Sequence, residues 1–293
     1  MGEEEEEAMT CAPRRKSVTA AFGLGVSAVL TCITALAADG VSERLRENRI
    51  VERPNPTAAT SFVKDGKLDL DGVVEYFENL YRSEKSIATA ELIVTKPRRK
   101  RTLRMKVWTK GDEKALVVIL SPPREKGTAS LKVEKNLWNY FPRIERTIRI
   151  PPSMMLASWM GSDFTNDDLV RESSYSEDYT YELVGRSDDP PGWLIEFEAK
   201  PGTVGLWKRL NLIVSEDGRI PLVASYYDRK DRLARTLHWG DVKEFDGRRI
   251  PSRLELIPED KKGHKTEMVY LDIDFDVEVP DSTFSLSSLE RNR

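Results

Sequence analysis

The apolar positions between residues 70 and 81 follow a helical period. They are Leu70, Val73, Val74, Phe77, Leu80 and Tyr81. This spacing places every large apolar side chain on one side of an α-helix. Asp69 stands where a side chain would cap the first turn. The pattern predicts one amphipathic helix over 69–82, with one buried and one solvated face.

After Ser86 the period of the apolar positions changes to two. Apolar and polar residues alternate in 86–96, in 101–110 and in most later segments, and Asp-Gly pairs such as Asp217-Gly218 and Asp246-Gly247 separate them. Alternation is typical of half-buried strands, and Asp-Gly is typical of tight hairpins. The sequence therefore predicts a mainly β protein, a large antiparallel sheet of roughly a dozen strands.

A sheet of that width must curl or close. Such a sheet has more interior than its own side chains fill, so we expect an apolar cavity covered by the helix over 69–82 and by the segment 151–170. Aromatic, methionine and aliphatic side chains are expected to line this cavity or its lid. They are Leu103, Met105, Val107, Trp138, Tyr140, Met154, Met155, Trp159 and Met160.

The polar stretch 163–174 does not match the residue pattern of a calcium-binding EF-hand loop. An EF-hand that begins at Asp163 needs glycine where Asp168 stands and glutamate where Ser174 stands. Helix capping explains the residues better. Gly161 suits the C-terminal end of a short helix over the methionines, and Thr165 with Asp168 forms a capping box at the start of the next helix. We therefore predict no metal site here.

The N-terminal residues have the pattern of a secretory signal. Arg14, Arg15 and Lys16 precede an apolar run that ends in Ala35-Leu36-Ala37, so we expect cleavage after Ala37 and a periplasmic location. A retained membrane anchor and lipidation at Cys32 are the alternatives, and residues 1–8 have the character of a start-site artefact. The predicted organisation is a signal peptide over 1–37, an extended arm over 38–68 and one domain over 69–293.

Composition narrows the function further. Both cysteines, Cys11 and Cys32, precede the predicted cleavage site, so the remainder has no thiol chemistry. Cleavage removes three of 46 basic and five of 49 acidic residues, and the near-neutral remainder disfavours nucleic-acid binding. Neither His238 nor His264 lies in a nucleophile motif. We expect a monomeric, non-catalytic protein without cofactor or metal.

A basic run begins at the hairpin around Pro97. Arg98, Arg99, Lys100 and Arg101 could dock onto an acidic partner or anionic lipid headgroups. The alternative is a solvated hairpin without a partner.

Three stretches together resemble a known family. They are "DGVVEYFENLYRS" at 71–83, the block from Leu137 to Leu169, and "VPDSTFS" at 279–285. They are similar to the periplasmic outer-membrane lipoprotein-sorting proteins, LolA-like, in the subgroup associated with RND-type export permeases. The resemblance covers about 69–286 and implies a curved incomplete barrel with lid helices around an apolar cavity.

The function that this resemblance implies is a carrier that shields the acyl chains of lipoproteins or other lipids in transit toward the outer membrane. An inner-membrane transporter or RND-type permease is the further partner implied. The alternative is an accessory docking subunit of such a permease. The segment 158–169 has no counterpart in the well-studied carriers, so their cavity residues do not transfer to this chain.

Overall fold

The structure is a computed structural model that describes residues 61–170, 175–203 and 207–291. The predicted signal peptide, Cys11, Cys32 and residues 38–60 of the predicted arm lie outside the described residues. Residues 61–68, which were expected to be extended, form a small hairpin of β1 (Val63–Lys64) and β2 (Lys67–Leu68). Phe62 and Leu68 pack on the main core, and this burial accounts for the difference.

Thirteen further strands form one curved antiparallel sheet that does not close. They are β3 (Lys85–Lys96), β4 (Arg99–Lys110), β5 (Lys114–Ser121), β6 (Ala129–Val133), β7 (Asn136–Phe141), β8 (Arg146–Arg149), β9 (Tyr179–Asp188), β10 (Pro191–Ala199), β11 (Arg209–Val214), β12 (Pro221–Tyr227), β13 (Leu233–Phe245), β14 (Arg248–Pro258) and β15 (Lys265–Phe275). The last strand lies in the middle, where it pairs with β3 and with β14. The predicted mainly β fold is confirmed.

Helix α1 (Leu70–Asn79) begins where its sequence predicts. The Asp69 carboxylate accepts a hydrogen bond from the Gly72 amide at 3.1 Å, which satisfies one of the free donors of the first turn. Val73 and Val74 are buried in the same cluster as residues of β9–β14. We call the sheet face that α1 covers the inner face.

The opposite, outer face is covered over β5–β7 by the C-terminal segment. A 3₁₀ turn (Asp281–Phe284) and helix α4 (Leu286–Arg291) bring Phe284 and Leu289 against Leu116 and Leu131. This cover was not predicted from the sequence.

The segment 151–170, which we call the lid, lies on the inner face. It contains two 3₁₀ turns (Pro152–Met154 and Trp159–Gly161) and α2 (Asn166–Val170), and α3 (Tyr175–Asp178) follows. The prediction of a single short helix over the methionines is therefore wrong. Met160 and Gly161 both have a positive φ, of 49° and 70°, which interrupts any continuous helix there.

Candidate functional site

The middle of the inner face carries a row of apolar side chains that crosses five strands. Residues that pair across neighbouring strands point to the same face of a sheet. The row consists of Trp239, Leu254, Met268, Leu92 and Leu103. Leu92 and Leu103 are fully buried, whereas Trp239, Leu254 and Met268 are only half-buried.

Tyr270 lies beside this row and is both deep and partly accessible. Burial raises the pKa of its hydroxyl above the ordinary value, yet the side chain is only half-buried. Tyr81, two residues after the end of α1, stacks on it with ring centroids 5.5 Å apart. Phe77 of α1 and Trp239 form a T-shaped pair with ring centroids 5.7 Å apart.

The lid covers the neighbouring part of the inner face through Trp159. This side chain is 1% exposed and packs in a cluster that includes Leu103 and Met105. Its indole N–H donates to the Ser130 hydroxyl at 3.0 Å, and Ser130 donates to Asn139 at 2.6 Å. A buried tryptophan normally finds such a partner for its one polar group.

Arg101 of β4 attaches the tip of the lid. One guanidinium nitrogen donates to the Met160 carbonyl, and another lies 3.1 Å from a Glu125 carboxylate oxygen. The left-handed backbone at Met160 and Gly161 turns the Met160 carbonyl toward this arginine. Gly161 has no β-carbon to oppose that conformation.

Asp163 attaches the lid to the central strand. Its amide donates to the Thr266 hydroxyl at 2.9 Å, and the same hydroxyl donates to its carboxylate at 2.8 Å. The carboxylate is 4% exposed, with Lys261 and His264 nitrogens at 3.9 and 3.8 Å. The sequence predicts only a residue between two helix ends at this position, so the contact of Asp163 with β15 is a correction.

Asp168 attaches the last part of the lid to β13. The predicted capping box is confirmed, because the Thr165 amide donates to Asp168 at 2.8 Å and the Asp168 amide donates to the Thr165 hydroxyl at 3.2 Å. The same carboxylate accepts two hydrogen bonds from Arg235, at 2.8 and 2.7 Å. The Arg235 guanidinium also lies over the rings of Trp207 and Tyr226 at 4.4 and 4.6 Å.

Arg235 determines the protonation state of the buried Asp168 carboxyl. Burial alone would raise the pKa of the Asp168 carboxyl, but the Arg235 hydrogen bonds and charge, with help from Thr165, outweigh burial and lower it. The carboxyl is therefore ionised at neutral pH, and the lid is held by a charge-assisted bidentate pair.

The structure brings part of the predicted cavity set together. Leu103 and Met105 lie under Trp159, and Val107 and Met160 pack at the border of the same cluster. Their role as ligand contacts stays a prediction.

The other predicted cavity residues lie elsewhere. Trp138 and Tyr140 point to the outer face and pack with the C-terminal segment, because they alternate with Leu137 and Asn139 along β7. Met155 packs beside Leu137, and Met154 is 48% exposed.

Sequence reasoning missed the half-buried row on β13–β15 and the three lid attachments. Alternation in "RTLHWG" and "EMVYLDIDF" places Leu237 with Trp239, and Met268 with Tyr270, on one face of their own strand. It does not say that β15 inserts between β3 and β14, and that insertion is what places these residues at the centre.

The four predicted docking residues separate. Arg99 and Arg101 lie on the lidded side of β4, Lys100 alternates to the outer face, and Arg98 lies in the turn. Within the described ranges, no three His, Cys, Asp or Glu side chains are close enough to hold a metal ion. No helix in the described part of the chain is long and apolar enough to cross a membrane.

An open antiparallel sheet with a covered inner face is a LolA-like fold, and solved structures share it. A DUF1329 family protein from Desulfovibrio piger superposes with a TM-score of 0.67 at 24% identity, covering 74% of this chain and 96% of that one. A domain from Vibrio parahaemolyticus, assigned to the outer membrane lipoprotein-sorting proteins, gives 0.63 at 22%, covering 76% and 100%. A LolA superfamily protein from Nitrosomonas europaea gives 0.61 at 21%, covering 78% and 100%.

The chain belongs to a family whose model, described as "Uncharacterized protein", matches residues 111–291. No curated protein matches the chain. The association with RND-type permeases stays a prediction.

Proposed function

We propose that this protein is a periplasmic, non-catalytic carrier that holds the acyl chains of lipids or lipoproteins against the inner face, in transit toward the outer membrane. The observation that carries this proposal is the half-buried part of the apolar row, at Trp239, Leu254 and Met268, with Tyr270 beside it and a lid attached by polar groups. The periplasmic location rests on the signal-peptide pattern of the sequence.

The inner face is suited to an acyl chain because it is apolar. Each methylene group removed from water contributes about 0.8 kcal/mol, so a chain binds through its length without a specific polar partner. Aromatic and methionine side chains at Trp239, Met268 and Tyr270 can adjust to a ligand of irregular shape.

The lid attachments favour reversible closing. The Met160 carbonyl, the Asp163 carboxylate and the Asp168 carboxylate all bond to sheet residues, and water can replace those partners when the lid lifts. A typical hydrogen bond contributes a net of about 0.5–1.5 kcal/mol for this reason. Because these polar groups hold the lid to the sheet, we assign them a role in closing and not in catalysis.

The proposal is tested by lipid content and by acyl-probe binding. Protein purified from its native periplasm should carry lipid in native mass spectrometry, and it should bind a fluorescent fatty acid. Met268→Asp should weaken that binding at least about tenfold, because a carboxylate in an apolar site is strongly disfavoured.

Val269→Asp is the matched control. Val269 is the next residue on β15 and pairs with Arg253 on the opposite face, so its replacement should leave probe binding unchanged. Absence of both co-purified lipid and probe binding would remove the proposal. If both variants lost the same amount of probe affinity, the ligand would not bind at the inner face.

A further inference from the structure

Three arginines from separate elements meet in one groove at the rim of the inner face. Arg99 comes from β4, Arg124 from the β5–β6 connection and Arg143 from the β7–β8 connection. They line a groove of about 400 Å³ together with Phe141 and Ile144. Ile144 is 58% exposed, so the groove combines positive charge with apolar surface.

The acidic residues that line this groove do not balance its positive charge. Glu125 also lines it, but that carboxylate is 3.1 Å from Arg101. Within the described residues, Arg99, Arg124 and Arg143 form no ion pair. Like charges that converge in a folded protein repel one another, and a bound anion would relieve that repulsion.

The groove connects to the tip of the lid through Arg99. A second cleft of about 230 Å³ is lined by Arg99, Val94, Lys96, Arg101 and Gly161. Arg101 is the residue that holds the Met160 carbonyl. An anion in the groove would therefore lie next to the point where the lid meets the sheet.

We propose that this groove binds the phosphate headgroup of an amphiphile whose acyl chains lie beneath the lid. The inference rests on the proposed carrier function and adds the chemical class of its ligand. A guanidinium group is complementary to phosphate in shape and charge and can donate two parallel hydrogen bonds to it. Phe141 and Ile144 would contact the apolar part next to the headgroup.

Isothermal titration calorimetry tests this with three probes: dihexanoyl phosphatidic acid, dihexanoylglycerol and inorganic phosphate. The phosphatidic acid should bind about tenfold more tightly than the diglyceride, which corresponds to about 1.4 kcal/mol. The preference should shrink at high salt, because the arginines are exposed and screened.

The double variant Arg124→Gln/Arg143→Gln should lose the preference and keep the affinity for the diglyceride. Arg104→Gln/Arg249→Gln removes the same charge from exposed positions that do not line the groove and should keep the preference. Circular dichroism shows whether each variant is folded.

Each other outcome counts against one or both proposals. Equal binding of the two amphiphiles, or a preference that survives in the groove variant, would overturn the headgroup site and leave the carrier function standing. Inorganic phosphate bound as tightly as the phosphatidic acid would make the groove a free-anion site and overturn the lipid assignment. Binding of neither amphiphile would overturn both proposals.

Discussion

Replacing Trp159 by alanine tests directly whether the lid can leave the sheet. A tryptophan buries about 200 Å², which at about 25 cal/mol per Å² contributes about 5 kcal/mol. Because this side chain is 1% exposed, nearly the full value applies while the lid is closed.

The loss of global stability depends on whether the lid opens separately. If the rest of the protein stays folded with the lid lifted, the variant can rest in that open state. Its free energy of unfolding then falls by no more than the free energy of lid opening. Local openings lie well below the global value, so we expect a loss of about 1–3 kcal/mol.

Phe197→Ala is the matched control, since Phe197 is also 1% exposed but lies on β10 in the cluster under α1. It should cost about 3–5 kcal/mol. Urea unfolding followed by circular dichroism measures both variants, and Trp159→Ala should also bind a fatty-acid probe at least about tenfold more tightly, because the open form is more populated. A loss as large as that of Phe197→Ala, with unchanged probe affinity, would refute an opening lid.

Two further variants test the lid attachments. Asp168→Asn should remove a pH dependence: the folded pKa of Asp168 lies below its ordinary value of 3.8, so the Arg235 pair stabilises fully above that value and is lost as pH falls through the folded pKa. Protection factors of the lid amides, which compare each measured exchange rate with the intrinsic rate at the same pH, should therefore fall from pH 6 to about pH 2 in the wild type and stay flatter in the variant. Equal slopes would contradict the assignment. Thr266→Val should cost about 1–3 kcal/mol, because the buried Asp163 carboxylate loses its hydroxyl partner, whereas Thr95→Val, at a buried hydroxyl without a hydrogen bond in the described residues, should be neutral in urea unfolding. Equal effects of the two would contradict the Asp163 contact.

Local patterns predicted the elements that depend on local chemistry. The α1 stripe and its Asp69 cap are set by spacing and by one side-chain hydrogen bond. The Thr165–Asp168 capping box is equally local, with partners three residues apart. For these elements the physical cause lies within a few positions of the residue it acts on.

Alternation failed where both faces of the sheet are buried. Leu116 to Ile119 are four consecutive buried residues, because the lid covers one face of β5 and the C-terminal segment covers the other. The prediction that Trp138 and Tyr140 line the cavity assumes a single dry face, whereas both side chains pack on the outer face. The Arg235–Asp168 pair spans 67 residues, and no local pattern indicates such a partner.

The energetics of the lid suggest how a ligand could open it. Among the described lid residues, Trp159 is the one apolar side chain that is fully buried, and its burial contributes about 5 kcal/mol before the entropy cost of ordering the lid is subtracted. About six methylene groups, at roughly 0.8 kcal/mol each, contribute the same amount. An acyl chain of ordinary length can therefore offset the loss of the Trp159 contact, while water replaces the sheet partners of Met160, Asp163 and Asp168. A lid that closed through several buried aromatic side chains would need a much longer chain to displace it. One buried tryptophan with several polar contacts therefore fits the proposed carrier function, which requires that the ligand be both held and released.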